Sequence, residues 1–338
     1  MLRWGVIGTG SIATDFCAAL RHSSLCVVAN VAGSSGDKAH AFAGRCGIPR
    51  WSEGVRQLLD DESVDAVYIA TPHPSHEEHA LAAIAAGRHV LCEKPLTLDE
   101  RSAARVIASA RRHGVFLMEA FMYRCHPLLR ALLARIEDGA IGGIRHVRAD
   151  FGFRAPRLAR HRLFSSTLGG GSILDVGGYP VSFARLIAGV AEGAPFAEPV
   201  AVTASGLIGP TGVDELASAQ LMFASGFTAS VTSAVSYEIG TSAVVFGERG
   251  RIVLPNPWIP GGCRQSLETG FTIHRDDGEP ETVTIRAEKP TYAIEADYVA
   301  TALPAVEPEW PAMSWADTLG NLRVMDAWSA SLRAQAQL

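Results

Sequence analysis

Arg3-Trp4-Gly5-Val6-Ile7-Gly8-Thr9-Gly10-Ser11-Ile12-Ala13 opens the chain and decides how the rest is read. A short apolar run leads into two glycines spaced one apart, and a helix-like stretch follows to about Arg21. In such a turn Gly8 permits the sharp reversal, Gly10 lets the main chain approach a pyrophosphate, and Ala13 stands where only a small residue is required. The N–H groups at the helix start face phosphate, so Gly8, Thr9, Gly10, Ser11 and Ile12 are the expected dinucleotide cradle.

Working outward, the next hundred residues alternate between short apolar runs and helical stretches. Cys26 to Ala32 reads as a strand, Lys38 to Cys46 as a helix, and Val55 to Asp60 as a short helix. Ala66 to Ala70 follows as a buried strand, then a helix from His76 to Ala86 closed by Gly87, and the strand His89 to Cys92. Asp99 to His113 is a further helix and Val115 to Met118 the last strand. This alternation predicts a doubly wound parallel sheet, a Rossmann dinucleotide-binding domain over residues 1–120.

Beyond residue 120 the pattern changes. Ile144 to Phe153, Val200 to Leu207, Ala217 to Phe223, Phe227 to Ser233, Ala243 to Phe246, Phe271 to His274 and Thr282 to Ile285 read as strands that mostly lack intervening helices. They predict a mainly antiparallel sheet in a second domain over 121–338. Helices are expected at Leu128 to Asp138, Tyr179 to Ala188, Tyr292 to Leu303 and Trp315 to Leu332.

Composition narrows the function classes. The 338 residues are 48% hydrophobic and 19% charged, enough to bury the cores of about two domains. A net charge of −5 with no long basic run supplies no field for a phosphate backbone, so nucleic acid is not an expected partner. No N-terminal leader pattern and no uninterrupted membrane-spanning run is read, and the expected compartment is the cytoplasm. The six cysteines, Cys17, Cys26, Cys46, Cys92, Cys125 and Cys263, lack metal or disulfide spacing. His73, His76 and His79 recur every three residues, but Pro72 and Pro74 break the helix there and no carboxylate or cysteine completes a set. No metal site is expected. Ser165, Ser166 and Ser172 sit in no nucleophile elbow.

Ligands of open parallel sheets bind beyond the carboxyl ends of the strands, and two strands end there in reactive-looking sequence. One ends in Thr71-Pro72, with His76 opening the next helix; the other ends in Glu93-Lys94-Pro95. At the end of the second strand, where an acidic residue would take the ribose hydroxyls of NAD, the chain reads Gly33-Ser34-Ser35-Gly36-Asp37-Lys38. Ser35 and Lys38 suit a 2′-phosphate, so NADP is the expected cofactor, with NAD as the alternative through Asp37. In the second domain Gly169-Gly170-Gly171-Ser172-Ile173-Leu174-Asp175-Val176-Gly177-Gly178-Tyr179 is glycine-dense, and Asp175 and Tyr179 share a face if that segment is helical. The alternative is an N-cap aspartate and a packing tyrosine. Met122 and Phe153 are candidates for either the substrate side or the core. The basic stretch Arg154, Arg157, Arg160 and Arg162 is read as a solvated loop from which one arginine can reach a ligand.

The glycine turn, Glu93-Lys94-Pro95 and the Asp175 to Tyr179 segment together resemble the glucose-fructose oxidoreductase and inositol dehydrogenase (Gfo/Idh/MocA) family, from Arg3 to about Trp328. Val67-Tyr68-Ile69-Ala70-Thr71-Pro72-His73, Met118-Glu119-Ala120-Phe121 and Gly212-Val213-Asp214-Glu215 resemble the branch of dimeric dihydrodiol dehydrogenases and NADP-dependent D-xylose 1-dehydrogenases. The resemblance implies that the second domain is a large open, mainly antiparallel sheet that binds substrate and mediates oligomerisation into a homodimer or larger homo-oligomer; it also implies Lys94 and Tyr179 as catalytic pair, Asp175 as substrate-orienting residue, and a cis Lys94-Pro95 peptide. Ser34 departs from it, standing where that branch often has arginine. The implied activity is NADP-dependent hydride transfer with a sugar, D-xylose or a similar aldose first. Alternatives are trans-dihydrodiol oxidation, reduction of 1,5-anhydrofructose or another ketosugar, a cofactor-recycling glycosidase, and a non-catalytic nucleotide sensor. A tyrosine base must ionise near neutral pH, about three units below its usual value, which needs roughly 4 kcal/mol of stabilisation.

Overall fold

The computed structural model describes residues 1–156, 161–262 and 267–335. The chain forms two compact units. One comprises Met1–His126, Gly261–Leu267 and Ala287–Thr318; the other comprises Pro127–Pro260, Glu268–Arg286 and Leu319–Leu338.

In the first unit six strands lie in the order β3-β2-β1-β4-β5-β6: β1 (Leu2–Ile7), β2 (Cys26–Ala32), β3 (Arg50–Ser52), β4 (Ala66–Ile69), β5 (His89–Glu93) and β6 (Leu117–Ala120). All pairs are parallel. Every residue of β4 and of β6 is buried, as expected of strands covered on both faces. Helices α1 (Ser11–Leu20), α2 (Gly36–Cys46), α3 (Val55–Leu59), α4 (His76–Ala85) and α5 (Glu100–His113) connect the strands. Asp99 caps α5 by accepting from the Ser102 N–H, and Gly114, with φ of 64°, ends it. The outer edge of β6 is covered: the Leu117 N–H donates to the Val306 carbonyl, and the Trp315 indole N–H donates to the Leu117 carbonyl. These contacts hold β6, and with it Glu119, in register.

The second unit carries an eight-stranded sheet in the order β14-β13-β12-β11-β7-β10-β9-β8. Its strands are β7 (Ile144–Arg154), β8 (Pro199–Ile208), β9 (Asp214–Phe223), β10 (Thr228–Ala234), β11 (Ser236–Gly247), β12 (Gly250–Leu254), β13 (Glu268–Arg275) and β14 (Glu281–Arg286). The sheet is antiparallel except where β10 runs parallel to β7. Burial alternates along β14, so one face looks outward. Helix α6 is Pro127–Glu137 and α7 is Gly178–Glu192; α8, Thr291–Ala302, belongs to the first unit, and α9, Trp315–Gln335, begins in the first unit and continues in the second. The first twelve residues of α7 are all buried.

Two strands escape the sequence pattern. β3 has three residues, of which Arg50 and Trp51 are exposed, too few to show a period. β12 follows β11 across a tight turn between the paired Gly247 and Gly250, and its apolar part, Ile252 to Leu254, is only three residues long. Among the described residues one helical segment, Ser166–Glu192, is long and apolar enough to cross a membrane by length and composition only. The structure buries 89% of its apolar window inside the protein, as a core helix.

Candidate active site

The glycine turn takes the conformation its sequence requires. Gly8 has φ of 118°, and a Cβ there would lie 2.5 Å from the Ala70 carbonyl oxygen, so no other residue fits. A Cβ on Gly10 would meet nothing within 4 Å, leaving open space before the N-terminus of α1. Gly10 is the N-cap of α1 and offers no side-chain cap, so the first N–H groups of the helix face outward unmatched by a side chain, the arrangement that accepts a pyrophosphate. Gly8, Thr9, Gly10, Ser11 and Ile12 therefore fit a dinucleotide.

At the end of β2, Ser35 is used locally as the N-cap of α2, its hydroxyl accepting from the Lys38 N–H at 3.4 Å. The Lys38 ammonium donates instead to the Ser34 hydroxyl, 3.1 Å away, and all three residues are exposed. Ser34 and Lys38 are thus brought together, and no carboxylate stands on the strand end. Asp37 lies in the first turn of α2.

The ends of β4 and β5 are tied to each other through His76. The ring is fully buried, with Nδ1 2.8 Å from the Pro95 carbonyl oxygen and Nε2 2.9 Å from the Thr71 carbonyl oxygen. Thr71 is also held through its hydroxyl, 3.2 Å from His79 Nδ1. His76 therefore spans the two loops instead of offering a ring nitrogen to a ligand, and burial pushes its proton affinity down. Glu93 accepts from the Tyr68 hydroxyl at 2.5 Å and from the Lys94 N–H at 3.2 Å. The Tyr68 ring stacks on Phe16, 3.8 Å between centroids. The Lys94-Pro95 peptide is cis, and Lys94 is half-buried. Met122 is 3% exposed.

In the second unit the glycine segment is helical before α7 begins. Ile173–Gly177 forms a turn of π-helix that runs directly into α7, so Asp175 and Tyr179 lie on consecutive helical turns. Turns of this kind recur at functional sites. Asp214 at the start of β9 anchors the turn: its carboxylate accepts from the Ser172 hydroxyl and the Ile173 N–H, both at 2.7 Å. Gly171, with φ of 109°, is the residue a side chain would destroy, because its Cβ would fall on the Asp214 carboxylate. Burial raises the Asp214 carboxyl above its usual range, and those hydrogen bonds oppose the shift.

The Asp175 carboxylate accepts from Arg162 at 2.8 Å, the carboxylate being 6% exposed and the guanidinium 44%. Tyr179 sits between Phe151, 5.3 Å away edge-on, and Trp258, 6.1 Å away. The Trp258 indole is fixed by donating to the Asp150 carbonyl at 2.9 Å. Arg162 is the arginine of the basic stretch that reaches a site residue. Arg154 is exposed at the end of β7, and Arg157 and Arg160 lie outside the described residues, as does Cys263. Phe153 packs against the small cluster of Ala155, Leu163 and Val235. Reading the sequence missed Phe151, Trp258 and Glu119 as neighbours of the site. The one signal available was that Glu119 and Asp214 fall inside the short motifs quoted above.

Comparison with known proteins places this geometry. Residues 2–121 match the model for an oxidoreductase family with an NAD-binding Rossmann fold, and residues 129–253 match the GFO/IDH/MocA C-terminal domain. The chain belongs to the Gfo/Idh/MocA family. It is an oxidoreductase acting on CH–OH groups, with an NAD-binding Rossmann domain. It is 36% identical to a mouse trans-1,2-dihydrobenzene-1,2-diol dehydrogenase over 261 residues, covering 77% of this chain and 76% of the relative. A 3-ketoreductase from Actinomadura kijaniata, solved with NADP and TDP-benzene, superposes with a TM-score of 0.85 at 30% identity, covering 98% of each chain. An aldose-aldose oxidoreductase from Caulobacter crescentus, solved with glycerol, gives 0.85 at 26% identity, covering 99% of this chain and 98% of the other.

Proposed function

We propose that this enzyme is NADP-dependent and moves hydride between nicotinamide and a carbinol carbon of a sugar, with D-xylose or a similar aldose, oxidised at C1 to the lactone, as first substrate. The observation that carries the reading is the Asp175–Tyr179 turn: a carboxylate and a phenol on consecutive helical turns, one held by Arg162 and the other packed between aromatic rings. Tyr179 takes the hydroxyl proton as the carbon is oxidised, Lys94 favours its ionised form, and Asp175 orients the hydroxyl by accepting from it. Nicotinamide, when bound, accepts the hydride. Ser34, Ser35 and Lys38 support the 2′-phosphate of NADP. Thr71, Pro72, His76 and Glu93 shape the loops beside it.

A second reading, oxidation of a trans-dihydrodiol, is favoured by the likeness to the dihydrodiol dehydrogenases. A homodimer through the C-terminal sheet belongs to the same reading, and Val200, Leu207 and Met222, exposed on β8 and β9, are apolar side chains such a contact would cover.

The test is to follow NADPH formation from NADP with aldoses, cyclitols and trans-diols, using the native protein and Tyr179→Phe. Turnover of an aldose that falls by roughly 10²–10⁴ in the variant while NADP binding persists is the expected result. Turnover of trans-diols alone selects the second reading. Full activity in Tyr179→Phe removes the tyrosine from the chemistry.

A further inference from the structure

The main chain around Lys94 is fastened at three consecutive residues by ionisable side chains from three places in the fold. The Lys94 N–H donates to Glu93 at the end of β5, 3.2 Å. The Pro95 carbonyl faces His76 at the start of α4, 2.8 Å. The Leu96 N–H donates to Glu119 on β6, 2.9 Å. Glu119 is the outlying member, since it is 2% exposed and reaches Leu96 from across the sheet pairing of β5 with β6.

A carboxylate and a carboxylic acid hold such a loop differently. The ionised group makes a charge-assisted bond to the Leu96 N–H, roughly twice as strong as its neutral counterpart. Lys94 favours the ionised form. We propose that Glu119 is a positioning residue of the Lys94 loop: as a carboxylate it anchors the Leu96 N–H two residues beyond Lys94, and on protonation it loosens that anchor.

The groups facing it set where the change falls. Burial drives the Glu119 carboxyl up to about 7, with the Leu96 N–H, the Thr318 hydroxyl and Lys94 opposing, and Asp317 adding to the rise. Asp317, at the start of α9, is itself paired with the buried Arg124. On β5, Glu93 and Glu119 both raise the Cys92 thiol, which burial already holds well above its usual value. His76, on α4, feels Lys94 and His79 as unfavourable to its own charge. Glu119 therefore changes charge near neutrality.

The role for Lys94 rests on the proposed function, so the test begins without cofactor or substrate. Carbon-13 NMR of glutamate-labelled protein, titrated with pH, is expected to show one carboxyl with a midpoint near 7 that is missing in Glu119→Gln. Nitrogen-15 NMR of the main chain is expected to show the Leu96 N–H signal shifting with that same midpoint in the native protein and not in the variant. If Glu119 titrates in the ordinary carboxylate range, or if the Leu96 N–H does not follow it, the proposal fails whatever the enzyme's substrate. Once a substrate is known, turnover in the native enzyme should drop about tenfold one pH unit below the midpoint. Glu119→Gln should be slower and lack that limb, and Glu119→Asp should restore a limb. A limb unchanged in Glu119→Gln overturns the proposal; a missing turnover with both NMR results intact overturns only the function.

Discussion

In the first unit the loop around Lys94 is held by Glu93, His76 and Glu119, side chains whose charge depends on pH. In the second the turn carrying Asp175 is held by one buried carboxylate, Asp214, closing onto a glycine that leaves no room for a side chain. The proposed function assigns residues of both regions to one reaction, yet one region is adjustable and the other is sterically set. Under that proposal the lysine loop gains from neighbours that respond to pH, whereas the carboxylate that would orient substrate has to stay in one place. Substitutions that reach only one mode of anchoring separate them.

The largest expected effect is on the sterically set side. Gly171→Ala places a methyl group on the Asp214 carboxylate and holds alanine at φ of 109°. Left-handed strain costs about 1–3 kcal/mol and a displaced acceptor for buried donors about 1–3 kcal/mol, so a loss of about 4 kcal/mol in urea unfolding is expected. A loss below about 1 kcal/mol would mean that the Asp214 carboxylate gives way freely, and the contrast between the regions would fall.

The adjustable side predicts a dependence on pH. Glu119 has a folded-state value of about 7 against an ordinary 4.5, so the folded protein keeps a proton that the unfolded chain has released. Its stabilising contribution is full below pH 4.5 and is lost as pH rises through about 7. For a fully buried group the shift corresponds to about 3 kcal/mol. Unfolding free energies measured from pH 4 to 8 should therefore fall more steeply with pH in the native protein than in Glu119→Gln. Parallel curves would show that Glu119 is ionised throughout and that its hold on Leu96 does not vary.

These two anchors also mark where the sequence stops being legible. The Rossmann unit could be read because its chemistry is main-chain chemistry: Gly8 and Gly10 announce their backbone geometry at the position where it is used. Apart from β3 and β12, the strands and helices of both units follow from local period. Glu119 meets Leu96 23 residues away, Asp214 meets Ile173 41 residues away, and Tyr179 meets Trp258 through space alone. No periodicity encodes such pairs. Asp175 and Tyr179 were visible as a spacing, while the π turn that carries them depends on Asp214. The parallel pairing of β10 with β7 was hidden for the same reason, since strand order depends on long-range contacts.

The smallest effect concerns the cofactor's outer end, where the sequence departs from its branch. Ser34 and Lys38 lie together on the surface beyond β2, and the lysine ammonium now donates to the serine hydroxyl. An arginine at position 34 adds a planar cation able to grip a phosphate with two parallel hydrogen bonds, which a lysine cannot do. Because Ser34 is exposed, the change should leave stability within about 0.5 kcal/mol. Ser34→Arg is therefore expected to tighten NADP about tenfold, roughly 1.4 kcal/mol, and to leave NAD unchanged in fluorescence titrations. Equal tightening of both cofactors would mean that the new charge meets the shared pyrophosphate. A gain for neither would place the 2′-phosphate away from this loop and return Asp37 to the ribose.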